Sequence, residues 1–552
     1  MTRRLNRSVC ALLVAMFAAA SAFAQDPPAQ EPLPTLQRLV IENTTVFSPE
    51  DIAWLLHLRT GARLPAAPEE IAARVKRLYE KEGYTATTVS PRFDESSGTL
   101  TLTVNETRID DLEVRGASPP LERRIREEFE RSDIRAGQPF NATAVGRAVR
   151  RAIAATHGAF TLGDIDLVDV NGRQVVMVPV RRRQGDFDVT TGSNGREDFY
   201  SPVDGLVPAV GFTAVAYDRS GFNYTLVNGF ASWKFGRDDA GFSLGVERPL
   251  LSDTRLFLGT EVHDLTASDD IWRISSGEQM LAAVGVKRSF RDYYRRRGMQ
   301  VFGGFRPSRQ QEVLASVRWD RHEPLANEAD FSLFRRGAEF RANPLVADAE
   351  LNAVVLAYTF ETRGLDRQSL RQRYVQHLAD DLFRSVRRSS AGLRVDWSSE
   401  IAGRGLGGDY EFTRHILNAR TVLPVGPHQS IAARGLFGWS DGDVPLERQF
   451  AVGGLGSVRG HPFKASAGSG MTLFNAEYAL DLEGTHVGQD GGLKLLLMFD
   501  AGQVRDPFRG SDDWMKGLGF GVQTGPLRFE WAWDTERGPG SGQFFLRLGR
   551  GF

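Results

Sequence analysis

The pattern of apolar and polar positions divides the chain into two parts. Up to about residue 184, short alternating segments flank stretches in which apolar residues recur every three or four positions. From about residue 185 onward, segments of roughly seven to ten residues alternate apolar with polar, and Gly, Asp, Asn and Pro separate them. Because strands have a period of two and amphipathic helices one of 3.6, we expect an α+β region followed by an all-β region with little helix.

The N-terminal part contains one order of elements twice. The first copy is predicted to run strand, helix, helix, strand, strand, with helices beginning near Ser48 and Pro68. The second copy closes with a hairpin about Asn171-Gly172, a dipeptide typical of type I′ turns. The repeat indicates two tandem modules, one over residues 36–107 and one over residues 108–184.

The alternation in residues 185–552 is compatible with two architectures. Along 527–534, for example, Leu527, Phe529 and Trp531 share one face, while Arg528 and Glu530 share the other. A soluble β-sandwich turns its apolar face inward and a transmembrane barrel turns it outward, so the period alone leaves both open. Arg295-Arg296-Arg297 is expected to be a periplasmic turn or an interface anchor, or to attract anionic lipid headgroups.

Both ends of the chain favour the membrane barrel. Residues 1–24 predict a signal peptide, since three arginines precede an apolar run and Ala22-Phe23-Ala24 offers a cleavage site. A membrane anchor is the alternative, but the apolar run is short for a span. Residues 25–35 then form a Pro-rich linker. The last segment ends in Phe552 with apolar residues on one face, and the length from 185 allows about 16 strands.

Composition removes several classes of protein. Among 552 residues, 68 Lys+Arg against 69 Asp+Glu give a net charge of −1, which argues against nucleic-acid binding. The single cysteine, Cys10, lies in the predicted signal peptide, so disulfides and cysteine-ligated zinc are not expected. Mean hydropathy is −0.29, which excludes a helical membrane protein but not a barrel with a polar lumen. Hydrolase and nucleotide-binding motifs are absent, so no enzyme activity, cofactor or metal is expected.

The N-terminal modules resemble POTRA domains. The residues that carry the resemblance in the first copy are Val40–Thr44 (VIENT), Leu78–Tyr84 (LYEKEGY) and Leu100–Glu106 (LTLTVNE). The second copy is more divergent and has His157–Phe160 (HGAF) in place of the Tyr-x-x-x-Gly-Tyr element. The resemblance implies that sheet edges capture extended polypeptide by β-augmentation. The alternative is that both modules are periplasmic spacers.

Two motifs in the barrel region resemble the superfamily that includes BamA, TamA and the two-partner secretion transporters (TpsB). Gly453–His461 (GGLGSVRGH) matches the Val-Arg-Gly-Tyr/Phe loop, and Leu495–Val504 (LLLMFDAGQV) matches the Phe/Gly-x-Asp-x-Gly strand. The resemblance implies that the loop folds back into the lumen and that its arginine pairs with the strand's aspartate. The positions carried over are Val458, Arg459, Gly460 and His461 in the loop, Phe499, Asp500 and Gly502 in the strand, and Phe552 as the C-terminal barrel signature.

Physical reasoning supports the same pair, although two positions depart from the motifs. Asp500 alternates with Leu497 and Phe499, so it faces the lumen if those face lipid, and a carboxylate there needs a cationic partner. His461 replaces the usual Tyr or Phe, and Met498 replaces Phe or Gly.

The resemblance implies two POTRA domains in the periplasm and a transmembrane antiparallel barrel in the outer membrane, acting as a monomeric protein translocase without ATP. Its partners would be an unfolded secreted or outer-membrane polypeptide and outer-membrane lipid. Export of the two-partner type is slightly favoured, because there are two modules, although little room is left for an N-terminal plug helix. The alternatives are a BamA/TamA-type insertase, a passive porin-like channel and a soluble periplasmic β-protein.

Overall fold

The computed structural model describes residues 33–548 except 157, 251–255, 336, 366–390, 427, 483–491, 507–509 and 512. The predicted signal peptide, Cys10, the proposed cleavage site and Phe552 therefore lie outside the described residues. Within that part of the chain, no helix is both long and apolar enough to cross a membrane. The described residues form two compact units, one up to residue 154 with 160–182, and one of residues 155–159 and 183 onward.

The first unit contains two modules, the first of the predicted order and the second with one further short strand, β5. In the first, strand β1 pairs in parallel with β3, and β3 pairs antiparallel with β2. In the second, β7 is central and pairs with β4, β5 and β6. The elements are β1 (Arg38–Glu42), α1 (Pro49–Leu55), α2 (Pro68–Lys81), β2 (Thr88–Asp94), β3 (Thr99–Asn105), β4 (Asp111–Arg115), α3 (Pro119–Arg131), α4 (Ala142–Ala154), β5 (Phe160–Leu162), β6 (Asp166–Val170) and β7 (Arg173–Arg182).

Local signals start the helices of the first module and an apolar core holds them. The Ser48 side chain accepts a hydrogen bond from the Asp51 N–H, and Pro49 occupies the first helical turn of α1. On α2, Ile71, Val75 and Tyr79 are fully buried against the inward residues of β3. Because each helix or sheet alone has only one apolar side, this packing is what stabilises the module.

Glu106, at the end of the first module, organises its surroundings. Its carboxylate accepts hydrogen bonds from the backbone N–H groups of Thr45 (2.8 Å) and Val46 (2.9 Å) and from the Tyr79 hydroxyl (2.8 Å). Burial raises the pKa of Glu106, but hydrogen bonds led by the one from the Thr45 side chain outweigh it and hold that pKa below its usual range.

The two modules meet where α2 ends and α4 begins. Gly83 has a left-handed φ of +96°, and a Cβ there would lie 2.5 Å from Asn141 Oδ1. The Ala142 N–H donates to the Gly83 carbonyl (2.9 Å), and Asn141 Nδ2 donates to the Glu82 carbonyl (3.0 Å). Glycine is therefore required here by both backbone conformation and space.

The second unit is a closed barrel of 16 antiparallel strands. The strands of the wall are β8 (Gly185–Gly192), β11 (Ala209–Tyr217), β12 (Tyr224–Lys234), β13 (Asp239–Pro249), β14 (Leu256–Ala267), β15 (Tyr294–Phe305), β16 (Gln311–Pro324), β17 (Ala349–Glu361), β18 (Gly392–Ala402), β19 (Phe412–Gly426), β20 (Gln429–Gly442), β23 (Gly470–Asp481), β24 (Leu493–Asp506), β26 (Met515–Thr524), β27 (Leu527–Asp534) and β28 (Gln543–Leu548). Between them lie β9 (Tyr200–Ser201), β10 (Gly205–Leu206), β21 (Phe450–Val452), β22 (Ser466–Gly468), β25 (Gly510–Ser511) and one helix, α5 (Ser276–Val286).

The barrel turns its apolar face outward, which distinguishes it from a sandwich. On β13, Phe242 and Leu244 are 45% and 44% exposed, whereas Glu247 is 1% exposed. On β27, Phe529 remains exposed while Glu530 is completely buried. Polar groups therefore fill the lumen and apolar side chains cover the outside, the arrangement expected of a wall in lipid. The predicted fold class of two POTRA-like modules and a 16-stranded barrel is confirmed.

Two long loops on the same side of the barrel carry much of the lumenal structure. Because neighbouring strands are antiparallel, every second connection lies at the same end. One is the helix loop (residues 268–293), which contains α5, and the other is the motif loop (residues 443–469), which contains β21 and β22.

One helix of the second unit was not predicted individually, and one expectation from the sequence was wrong. Helix α5 lies in a region with little predicted helix, because a capping box of Ser275 and Glu278 starts it and the loop buries it. Arg295-Arg296-Arg297 lies within strand β15 rather than in a turn. There, Arg295 binds Asp264 through two hydrogen bonds of 2.7 and 2.8 Å, so carboxylates on neighbouring strands neutralise the run.

Replacing Glu106 with Gln is expected to destabilise the first unit by about 2 kcal/mol at neutral pH, because buried N–H groups lose a charged acceptor. Since the folded pKa is depressed, this contribution is present above the unfolded glutamate pKa of about 4.3 and disappears as pH falls through the folded value. Urea unfolding of residues 33–182, followed by circular dichroism at neutral pH and near pH 3, measures both effects.

The exposed Glu70, which pairs with Arg74 at 2.7 Å, supplies the control. Glu70→Gln is expected to change the free energy of unfolding by less than about 0.5 kcal/mol. Equal effects of the two substitutions at neutral pH would contradict the role assigned to Glu106.

Candidate functional site

The motif loop is a folded hairpin whose tip lies against the barrel wall. At its base β21 pairs with β22, from Phe450 opposite Gly468 to Val452 opposite Ser466. At its tip, Gly460 has φ +88°, and a Cβ there would lie 2.3 Å from the Trp533 carbonyl carbon of β27. A side chain at this position would push the tip off the wall, so glycine permits the close approach.

Arg459 and Asp500 form a buried bidentate ion pair. Arg459 Nε donates to Asp500 Oδ2 (2.6 Å) and Nη2 donates to Oδ1 (2.8 Å), while the Arg459 backbone N–H also donates to Oδ2 (3.1 Å). Arg459 is 3% exposed and Asp500 1%. Burial disfavours the charged guanidinium, and the carboxylates of Asp500 and Glu530 compensate its charge. The pair fixes both the position and the orientation of the loop tip.

Side chains of neighbouring strands surround this pair and also bind the loop tip. We call this binding site on the barrel wall the seat of the motif loop. Asn475 on β23 donates through Nδ2 to Asp500 Oδ1 (2.7 Å) and to the Ser457 carbonyl of the loop (2.7 Å). Arg434 on β20 donates to Asn475 Oδ1 (2.9 Å) and to the Gly456 carbonyl (2.6 Å). The wall therefore recognises the loop backbone as well as its arginine.

A second carboxylate links the seat to the last strands of the barrel. Glu530 on β27 lies 3.3 Å from Arg459 Nη1 and 2.8 Å from Arg528 Nη2, and Arg528 also binds Glu477 at 2.6 Å. With Arg434 and Asp500 included, three cations face three carboxylates. Because all six are buried, this balance avoids an uncompensated charge in the lumen.

A glycine on the barrel wall leaves room for the backbone of the motif loop. A Cβ at Gly517 on β26 would approach the Arg459 carbonyl oxygen to 2.1 Å. Beside it, the fully buried Val458 packs in an apolar cluster with Val452, Leu473 and Val504. The glycine provides depth and the apolar cluster excludes water from the edge of the ion pair.

The structure places most of the predicted positions at this seat. His461 lies where an aromatic was expected, with Nε2 3.1 Å from the Lys516 carbonyl. Gly502 faces Val458, since a Cβ there would lie 2.8 Å from Val458 Cγ2. Phe499 is 44% exposed on the outer face, and so shares the strand motif without touching the loop. Phe552 lies outside the described residues.

Sequence reasoning missed several partners of Arg459. Met498 lies with its sulfur 2.7 Å from Arg459 Nη1, although it stood out only as a departure from the motif. Glu530 lies on the polar face predicted for its segment and Asn475 also faces the lumen, but the alternation of a single strand contains no signal for which lumenal groups meet.

Comparisons with known proteins place the barrel region in a family. Residues 291–552 match the Omp85 superfamily domain. A stretch of 180 residues is 26% identical to the outer membrane protein assembly factor BamA of Nitratidesulfovibrio vulgaris, covering 28% of this chain and 22% of that protein. The match thus spans about a fifth of that relative's length.

Solved structures with similarity to the chain include two that cover more than nine-tenths of it. One is BamA from Haemophilus ducreyi lacking POTRA domains 1–3, with 15% identity, 93% of this chain and 98% of that chain covered, and a TM-score of 0.48. Another is CdiB from Escherichia coli, with 13% identity, 95% and 91% coverage, and a TM-score of 0.36. The family match covers residues 291–552, which include most of the barrel and both motifs, and it agrees with the resemblance that those motifs carry.

Asp500→Asn is expected to destabilise the barrel by about 3 kcal/mol, because the buried Arg459 keeps only its longer contact to Glu530. The measurement is the temperature at which the folded barrel loses its heat-modifiable mobility in gels. Arg459→Lys should lie between this variant and the original protein, since lysine keeps the charge but not the bidentate geometry.

Arg537→Ala is the matched control, because Arg537 is exposed and pairs with Asp534 at 3.5 Å. This loss of a surface ion pair should cost less than about 0.5 kcal/mol. If Asp500→Asn shifted the transition no more than Arg537→Ala, the pair would not hold the loop.

Proposed function

We propose that this chain, which carries an Omp85 superfamily domain, is an outer-membrane protein translocase that binds unfolded polypeptide with its two N-terminal modules and passes it through or into the membrane. The observation that carries the proposal is the motif loop held inside the lumen by Arg459 and Asp500. Val458, Gly460 and His461 position the loop tip, and Gly502 admits it. We assign no covalent chemistry to these residues.

The crowded lumen favours a translocase over a passive porin. A porin works through a water-filled channel, so inward loops that bury charged groups would oppose its function. Here the motif loop contributes the buried Arg459, and the helix loop contributes the buried Arg273 and Glu278. A lumen of this kind suits a pathway that opens for a client and is closed otherwise.

Among the described residues, strand β6 of the second module is the site best suited to capture a client. Within the described strands it pairs only with β7, and Val168 and Val170 on its exposed face are 41% and 45% exposed. Around the two-residue turn, Val170 and Val168 belong to hydrogen-bonded pairs with β7, so the backbone of Leu167 and Asp169 is directed toward the open edge. An extended polypeptide can add there as a further strand.

Export of a secreted client is the finer function that we favour, because the two modules of the described residues match the number that the resemblance associates with two-partner export. Insertion of outer-membrane proteins is the second candidate. It is favoured by the curated relative, whose name is that of an assembly factor for outer-membrane proteins.

Deleting the gene from its native bacterium separates these two functions. Export predicts that one or a few proteins fall at least about tenfold in the medium while outer-membrane proteins keep their levels. Quantitative mass spectrometry of both fractions measures this, and complementation with Arg459→Ala is expected to leave the barrel in the membrane without restoring secretion.

A broad loss of outer-membrane proteins would instead identify an insertase and overturn export. If neither fraction changed, the translocase proposal itself would be wrong. Heat-modifiable mobility of the Arg459→Ala protein checks that the barrel is folded.

Substituting Val168→Asp together with Val170→Asp should reduce secretion about tenfold, because charges on an edge strand oppose the addition of another strand. The control is Val168→Thr with Val170→Thr, which keeps β-branched side chains and the backbone edge. Immunoblotting of the medium for the client found above measures both. Equal secretion by the two double variants would exclude β6 as the capture site.

A further inference from the structure

Glu278 makes contacts in two directions from the first turn of α5. Its Oε2 accepts from the Ser275 backbone N–H (3.0 Å) and hydroxyl (2.9 Å), which completes a capping box. Its Oε1 accepts from Arg547 Nε (2.9 Å) and from the Leu548 backbone N–H (2.9 Å), both on β28. The side chains of Glu278 and Arg547 are 4% and 3% exposed. The same carboxylate therefore starts the helix and ties it to the last barrel strand.

The Leu548 contact lies at the last described residue of β28. Leu548 stands opposite Leu527 of β27 and uses its N–H for Glu278, so that donor is unavailable to a strand beside β28. The strand on that side is β8, which closes the barrel. Seven of the eight residues of β8 are exposed, whereas lumenal residues of β27 are buried. At this closure, the helix loop supplies a buried lumenal contact to β28.

The same loop also holds the motif loop. Arg273, just before α5, donates through its guanidinium to the carbonyls of Gly453 and Ala451, the first over 3.3 Å. A Cβ at Gly456 would lie 2.1 Å from the Arg273 carbonyl oxygen, so the two loop backbones are in direct contact. Next in sequence, Ile274 packs with Leu455 of the motif loop and with Phe545 of β28.

We infer that the helix loop is a strap that couples the seat of the motif loop to the end of β28, with Glu278 as the positioning residue. A continuous path of packed contacts runs from Arg459, through the motif loop, to Arg273 and Glu278 and then to Arg547. Displacing the motif loop removes the acceptors of Arg273 and loosens Glu278 from β28. The strap itself does not depend on the proposed function; only the statement that a client polypeptide displaces the loop rests on it.

Conductance of the purified full chain in planar lipid bilayers tests the strap without any client. Glu278→Ala should raise the fraction of time in the open state about tenfold, because β28 loses a charge-assisted contact at its end. Glu278→Gln should give a smaller rise, since its amide oxygen can still accept from Arg547 and Leu548.

Gln279→Ala is the matched control on the same helix. Gln279 is fully buried but binds Ser289 and Phe290 within its own loop, so its loss should leave β28 held. An unchanged open fraction in Glu278→Ala, or an equal rise in Gln279→Ala, would overturn the strap.

Cross-linking tests the release of β28 in cells, because a covalent bridge replaces the contact between Glu278 and Arg547 and can be opened by reduction. Glu278→Cys with Arg547→Cys is joined by a short bis-methanethiosulfonate, which forms a reducible disulfide with each cysteine thiol and releases methanesulfinate, with Gln279→Cys and Ser289→Cys as the control pair. Client secretion should stop in the first pair, resume on reduction and continue in the control pair. Secretion at the original rate by the cross-linked first pair would show that β28 need not be released. If the chain had no client, the conductance result would still decide the strap.

Discussion

The structure depends on one electrostatic constraint, which is that charges turned into the lumen must be neutralised there. Strands of alternating polarity cover the outside with apolar side chains, so carboxylates such as Asp500 and Glu530 have to face inward. A buried charge without a partner costs several kcal/mol, of the order of a domain's entire stability. The wall supplies Arg434 and Arg528, but the cation for Asp500 comes from a loop. The charge of Asp500 on the wall is therefore neutralised only when the motif loop folds inward.

The constraint also explains which parts could be predicted from the sequence. The period of two places Asp500 in the lumen beside the exposed Phe499, and the resemblance supplied Arg459 as its partner. Neither could supply Asn475, Met498 or Glu530, because contacts across a lumen depend on the curvature and closure of sixteen strands. Helix α5 had a local signal in Ser275 and Glu278, yet a four-residue capping pattern is weak until a loop buries it. The prediction of a turn at Arg295-Arg296-Arg297 failed for a related reason, since the carboxylates that neutralise these arginines lie on other strands.

In the N-terminal unit the sequence resemblance acquires a physical explanation. The Tyr-x-x-x-Gly-Tyr element places Tyr79 where its hydroxyl reaches Glu106, and Gly83 where only glycine fits against Asn141. The end of α2 is thus both the core of the first module and the attachment point of the second. Hydrogen bonds at this joint link the module that carries the open edge of β6 to the first module. Under the proposed function, an edge that is already ordered binds an extended strand without the entropic cost of its own ordering.

Ion pairs as deeply buried as these are weak evidence for stability, because apolar residues of similar volume often stabilise a core equally well. An apolar contact would not hold the loop in a single position, because apolar surfaces can slide past one another with little loss of free energy. Arg459 has one bidentate arrangement on Asp500, and a single oxygen of Glu278 accepts from both Arg547 and the Leu548 N–H. Both contacts concentrate their energy in a few directional bonds, so a small displacement breaks them completely. Under the proposed function, in which the loop stays in one place at rest and leaves it during transport, directional bonds hold the loop better than a broad apolar surface would.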